Sequence, residues 1–369
     1  MVIDKQLNIL YNHVTGHVTG NMIQMSLQSS SMPPHSQYRT TIRQVAVCAG
    51  VSHQTVSRVI NGSERVSPET KARVETAITE LGYTPNAIAR YMAQGRTRTF
   101  ACISPNLTDY TFASIIEGAE IEARRHGYFI ITASAPDEEA FGTLVDQLVS
   151  SRRTEGLMVI NPYADDRHKH LPKEVPTVFM GARPRQEAVD SVSLDDVEAA
   201  RIATQHLLDL GHRRIALITG LLCEDCSEDR QIGYADVLRR GRVHLDPALI
   251  LEGDWSATSG YHAVQQLLLE SIPFTAVFAQ NDRMAVGAIR ALREAGKRIP
   301  EDISVIGFDD MPLASYFDPP LTTMGQDMFK MGSEAVKLLM RAIEQPESPR
   351  QHLRLPAALI TRRSTSRIN

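Results

Sequence analysis

Several things are scarce in this chain, and each scarcity excludes a class. Four cysteines in 369 residues are too few for a disulfide framework, so an intracellular chain is the simpler expectation. No apolar run approaches the length of a membrane span. The first residues also lack a basic start followed by an apolar core, so neither anchor nor signal peptide is expected and the expected location is the cytoplasm. No Walker loop, G-x-G-x-x-G or G-x-S-x-G occurs, which leaves an enzyme reading without a phosphate cradle or an activated nucleophile. Cys223-Glu224-Asp225-Cys226 stands where a redox pair would sit, but its two enclosed carboxylates oppose thiolate formation. No second cysteine pair exists to close a zinc site, so no cofactor or metal is expected.

Net charge is equally modest at -4, which argues against a uniformly basic nucleic-acid coat. The charge is unevenly spread. From Arg39 to Arg96 eight basic residues face four acidic ones, a net of +4, so the remainder carries -8. That split suits a DNA-contacting module attached to an acidic body.

The module can be located by its pattern. Thr41 with Gln44 three residues on predicts a capping box and a helix start. Gly50 supplies the left-handed geometry of a tight turn, and Ser52 can cap a second helix near Thr55. In that second helix Val56, Val59 and Ile60 form one apolar stripe, whereas Gln54, Ser57 and Arg58 form a second stripe pointing away. Gln suits adenine and Arg suits guanine in the major groove, and His53, Ser57 and Asn61 can reach bases or phosphates. Two short helices with such a free face are helix-turn-helix chemistry. Ser67-Pro68-Glu69 then opens a third helix, with Val74, Ala77, Ile78 and Leu81 on one face and Gly82 at its end.

Residues 1–38 are rich in Ser, Gln, Asn, Thr and His and read as a flexible extension, with the head proper at 39–83. Residues 84–97 hold a short segment, weakly stable as a helix by itself, and a linker. From Phe100 onward short apolar runs alternate with amphipathic helices, as in Phe100–Ile103, Tyr128–Ile131 and Gly156–Ile160, and again in Arg214–Ile218, Thr275–Ala279 and Ile303–Phe308. This alternation predicts an α/β body over 98–369 made of two doubly wound parallel-sheet lobes. Ligands in such sheets sit beyond the carboxyl ends of strands, where Asn106, Asp109, Asn161, Asn281, Asp282, Asp309, Asp310 and Gln326 stand. Strand-end Asp and Asn also cap the following helices, so each of these positions has two possible employments.

The segment Val51-Ser52-His53-Gln54-Thr55-Val56-Ser57-Arg58-Val59-Ile60-Asn61-Gly62 resembles the head of the lactose-repressor (LacI) family of bacterial transcription regulators. The likeness continues collinearly through Gly253-Asp254-Trp255-Ser256, Asn281-Asp282, Gly307-Phe308-Asp309-Asp310, Pro319-Pro320-Leu321-Thr322-Thr323 and Leu359–Thr365. It implies a helix-turn-helix head on a periplasmic-binding-protein-like body, with lobe 1 about 98–194 and 326–354 and lobe 2 about 195–325 and 355–369. The implied activity is repression by a homodimer on double-stranded, pseudo-palindromic operator DNA, controlled by a sugar or glycoside effector. The candidate DNA-binding set is Thr41, Ser52, His53, Gln54, Thr55, Ser57, Arg58, Asn61, Asn86 and Met92. Met92 stands where the family's hinge helix carries a leucine wedge, and methionine is also able to pry base steps apart.

The candidate effector set is Asn106, Asp109, Asn161, Arg230, Trp255, Asn281, Asp309 and Gln326, with Arg230 as the fork that grips two hydroxyls. Two family positions are altered. Ile160 stands where the family's namesake has an amide, with Asn161 displaced by one, and Gly181 replaces a carboxylate, so the namesake's ligand does not transfer. The C-terminal stretch has no leucine heptads, which favours dimers over tetramers. A solute-binding protein or sugar-processing enzyme on the same body is the alternative, and the capped head is the feature against it.

Overall fold

The computed structural model describes residues 40–63, 65–84, 96–163, 165–181, 183 and 189–368. The chain divides into two compact units, 1–86 and 87–369.

In the first unit, helices α1 (Ile42–Ala49), α2 (His53–Ile60) and α3 (Pro68–Glu80) each start at a side-chain cap. Thr41 and Gln44 form the reciprocal capping box, Ser52 Oγ accepts from Thr55 N at 3.1 Å, and Ser67 Oγ accepts from Thr70 N at 3.3 Å. Gly50, at φ 63°, makes the turn between the first two helices. Val45, Ala46, Ala49, Val56, Val59, Val74 and Ala77 pack into one small core. Leu81 departs from its expected place on the packed face. Helix α3 stops at Glu80, so Leu81 caps it and stays exposed, while Tyr83 closes over the core and the Thr40 hydroxyl holds the Leu81 carbonyl at 2.9 Å.

The second unit holds two six-stranded sheets. The first has the order β11-β5-β4-β3-β1-β2, built from β1 (Thr99–Ser104), β2 (Phe129–Ser134), β3 (Gly156–Ile160), β4 (Thr177–Met180), β5 (Asp190–Leu194) and β11 (His352–Leu355). All its pairings are parallel. The second has the order β12-β10-β9-β8-β6-β7, from β6 (Ile215–Thr219), β7 (Ile250–Glu252), β8 (Ala276–Ala279), β9 (Ser304–Asp309), β10 (Thr322–Gln326) and β12 (Ala357–Ile360). Its edge strand β12 is the one exception to parallel strand pairing among the described residues. β12 runs antiparallel to β10, because β11 turns into it across Pro356 without a helical crossover.

Helices α4 (Tyr110–Arg125), α5 (Glu138–Ser150), α6 (Asp196–Asp209), α7 (Asp225–Arg240), α8 (Ala257–Leu269), α9 (Asp282–Glu294) and α10 (Met328–Glu344) cover the sheets. The chain crosses between lobes three times. β5 leads into α6, which packs on α7 and the second sheet; β10 leads into α10, which packs on α4 and the first sheet; β11 leads into β12.

Both lobes use the same device where two helices cross. A Cβ on Gly118 of α4 would lie 2.0 Å from the Phe329 carbonyl oxygen, and one on Gly332 of α10 would lie 1.9 Å from that of Ile115. In the other lobe Gly260 of α8 faces the Met284 carbonyl at 2.1 Å and Gly287 of α9 faces that of Ala257 at 1.8 Å. Backbone meets backbone at each crossing, which a methyl group forbids. Gly332→Ala is therefore expected to cost about 1–3 kcal/mol through overpacking. Thermal unfolding followed by circular dichroism checks this, and an unchanged midpoint would contradict the packing described.

Candidate functional site

Two surfaces gather the predicted residues, one in each unit. On α2 the buried side is Val56 and Val59, and the opposite side leaves His53, Gln54 and Arg58 exposed, with Asn61 exposed just past the helix end. Ser57 is half-buried, and its Oγ accepts from Asn61 Nδ2 at 3.3 Å. Thr41, Ser52 and Thr55 sit at helix starts, where their hydroxyls take part in caps: Thr41 with Gln44, and Ser52 with Thr55 at 3.0 Å between oxygens. Among the described residues the side chains on this face that make no hydrogen bond are those of His53, Gln54 and Arg58, with Asn61 beside them. Asn86 and Met92 lie outside the described residues.

In the second unit a cavity of about 380 Å³ opens between the lobes. Its position follows from strand order. The first sheet reverses its winding between β1 and β3, the second between β6 and β8, and both reversals present their carboxyl ends to this space. Seven of the eight predicted residues line it: Asn106, Asp109, Arg230, Trp255, Asn281, Asp309 and Gln326. Asn161 does not. It is buried behind the wall, where its Oδ1 accepts from Tyr163 N at 3.0 Å and shapes the loop after β3. Ile160 and Gly181, the two altered family positions, both line the cavity.

Arg230 is the anchor. Only 5% exposed, it donates from Nε to Asp196 Oδ1 at 2.7 Å and from Nη1 to the Gln280 carbonyl at 2.6 Å. Its guanidinium lies 3.6 Å from the Phe308 ring centroid and 5.8 Å from that of Trp255. Those contacts fix the plane of the fork and leave Nη2 with no hydrogen bond among the described residues. Asp309 sits at φ 113° and accepts from Gln326 Nε2 at 2.6 Å. Burial holds its carboxyl well above the ordinary aspartate range, against the opposing pull of Arg230.

Other predicted residues are partly engaged in shaping the wall. Asn281 caps α9 by accepting from Met284 N at 2.8 Å and steadies the Trp255 carbonyl with its amide nitrogen at 3.0 Å. Asn106 Oδ1 accepts from Thr108 N and Asp109 N, and Asp109 both caps α4 and accepts from Arg283 at 2.5 Å. Trp255, half-buried at φ 68°, lays its indole so close to Gly220 that a Cβ there would fall 2.0 Å from the ring. Its Nε1–H donates to Glu224 Oε2 at 2.9 Å.

Glu224, Cys226, Arg283 and Asp196 line the cavity without having been expected there. Glu224 and Cys226 were obscured by their reading as a cysteine motif. Burial, more than the neighbouring carboxylates, pushes the Cys226 thiol well up, while Cys223 is exposed. Asp196 comes after β5, whose sequence Asp190-Ser191-Val192-Ser193-Leu194 lacks an apolar run, so the strand end that would have flagged it was not visible.

Known proteins match this arrangement along nearly the whole chain. Residues 41–86 match the model of bacterial regulatory proteins of the lacI family, and residues 204–365 match that of the periplasmic binding protein-like domain. The ribose operon repressor of Escherichia coli strain K12 is 34% identical over 328 residues, covering 88% of this chain and 99% of that protein. The HTH-type transcriptional regulator CelR of Thermobifida fusca is 35% identical over 339 residues, covering 88% and 98%. Among solved structures, a Lac repressor dimer bound to operator and the anti-inducer ONPF superposes with a TM-score of 0.81 at 33% identity, covering 89% of this chain and 99% of that one. A CelR–cellobiose complex gives a TM-score of 0.68 at 33% identity, covering 88% and 100%. With a capped reading head, a two-lobed body and this extent of likeness, the chain belongs to the lacI family of bacterial regulatory proteins.

Proposed function

We propose that this regulator is a cytoplasmic repressor of carbohydrate-utilisation genes. As a homodimer it holds a pseudo-palindromic operator through α2, and a sugar or glycoside in the interlobe cavity decides how tightly. The observation that carries the reading is the convergence of Arg230, Asp309, Asn106 and Trp255 on one cavity at the winding reversals of both sheets. A planar fork, charged and amide acceptors and an indole face are the chemistry that polyhydroxylated rings require. The relatives point the same way, one being named for the ribose operon and another solved with cellobiose. The cleft senses its ligand and does not transform it. Because the cavity is built by both lobes, a ligand that prefers one lobe arrangement shifts the population toward it, and coupling to DNA needs no contact between ligand and operator.

Arg58→Ala is expected to lose about 1–3 kcal/mol of preference at the base pair it reads, while affinity for unrelated duplex falls little. Binding-site selection followed by fluorescence anisotropy checks this, and an equal loss on all sequences would reassign Arg58 to phosphate. Trp255 is the only tryptophan, so its emission reports on the cleft directly. Titration with a panel of neutral mono- and disaccharides is expected to shift that emission, and Arg230→Lys should weaken the response at least about tenfold, because an ammonium cannot replace the two-donor fork. Indifference of Trp255 to every sugar, alongside a response to purines or amino acids, would overturn the sugar reading.

A further inference from the structure

The charges lining the cleft do not balance. Five carboxylates face the cavity, and the only cationic side chains among its lining residues are Arg230 and Arg283. Both guanidiniums are already paired, Arg230 with Asp196 and Arg283 with Asp109. Of the other three carboxylates, Asp254 is turned to the loop backbone, where it accepts from Ser256 N at 2.9 Å. Glu224 and Asp309 remain, and neither makes an ion pair with any described residue.

Glu224 is the more telling of the two. It is 6% exposed, held between lobes by a backbone bridge to Tyr163 and by the adjoining bond from Asp225 N to the Pro162 carbonyl at 3.0 Å. Its side-chain contacts, from Trp255 Nε1 and from the Cys226 thiol, both fall on Oε2. Oε1 accepts no hydrogen bond from the described residues, although the residue lines the cavity beside the indole. A carboxylate oxygen that opens onto the cavity without a protein donor is available to a ligand, and a charged donor suits it best.

We propose that the cleft is selective for a sugar bearing a protonated amine, with the ammonium received by Glu224 Oε1 and the ring laid against Trp255, and that it rejects anionic sugars. This rests on the sugar reading of the same cavity and narrows it to a ligand class. Burial, above all, pushes the Glu224 carboxyl up to about 7, with the Trp255 N–H and Arg230 opposing it and Asp109 adding to it. A cation delivered by the ligand favours the ionised form of Glu224 and offsets that burial penalty, whereas a phosphate or carboxylate opposes its ionisation and finds no unpaired guanidinium among the lining residues.

The test uses the full-length protein at neutral pH, with Trp255 emission and calorimetry as readouts. The probes are glucosamine, galactosamine and mannosamine, their N-acetyl forms, the three parent hexoses and the corresponding 6-phosphates. For the responding stereochemistry the amine is expected to bind about tenfold tighter than the parent hexose, and the phosphate at least about tenfold more weakly. Glu224→Gln, which keeps the side-chain shape and an acceptor for Trp255, should erase the amine advantage, so that amine and parent hexose bind the variant within about twofold of each other. Retention of the wild-type melting temperature identifies the variant as folded. Equal binding of amine and hexose, tight binding of a phosphate, or an amine advantage that persists in Glu224→Gln would each overturn the proposal. Response to neutral sugars without response to any amine removes the proposal and leaves the sugar reading standing, whereas response to none of the probes removes both.

Discussion

A guanidinium taken out of water at Arg230 sets the terms for the rest of the body. Desolvating that charge is offset only because Asp196, at the point where the chain crosses from β5 into α6, supplies a carboxylate at 2.7 Å and the carbonyl after β8 a second acceptor at 2.6 Å. The Phe308 ring closes one face. Three separate strand ends therefore have to arrive together before the cation is tolerable. Removing one partner from such a pair characteristically costs about 3–5 kcal/mol, so the geometry that presents the fork to the cavity also secures the junction around it.

The two lobes reach this junction by the same construction. Each sheet reverses its winding once toward the cleft, and each buries a pair of helices through reciprocal glycine-to-carbonyl contacts. Close helix approach leaves little freedom for the loops at the carboxyl ends of the strands, which is where the cavity-lining side chains stand. Asn281 and Asp109 illustrate the economy of the arrangement. Each caps the helix after its own strand and, with its remaining polar atom, steadies a neighbour in the wall, so the same side chains start the helices and shape the cavity.

The reading head and most of the cleft were legible in the residues themselves. The capping box at Thr41 and Gln44, the turn at Gly50 and the stripe of Val56 and Val59 are local signals, and local hydrogen bonds realise them. Strand-end residues such as Asn106 and Gln326 were also legible, because a parallel sheet brings the carboxyl ends of all its strands to one edge. Asn161 misled for a physical reason. Its amide satisfies the backbone of Tyr163 two residues on, a short-range bond that competes with facing the cavity. Glu224 and Asp196 escaped notice because nothing near them in the chain predicts their companions: one meets Trp255, 31 residues away, and the other Arg230, 34 residues away.

Alone, then, the order of residues determined the helix-turn-helix face, the alternation that makes two wound sheets and the family to which the chain belongs, since periodicity and capping are properties of neighbours. Folding in three dimensions decided which polar side chains share the cavity, which are turned into its walls, and that three of the five lining carboxylates, Glu224, Asp254 and Asp309, have no ion pair among the described residues. Charge balance in a buried space is a sum over distant segments, and no stretch of the chain carries that sum within itself.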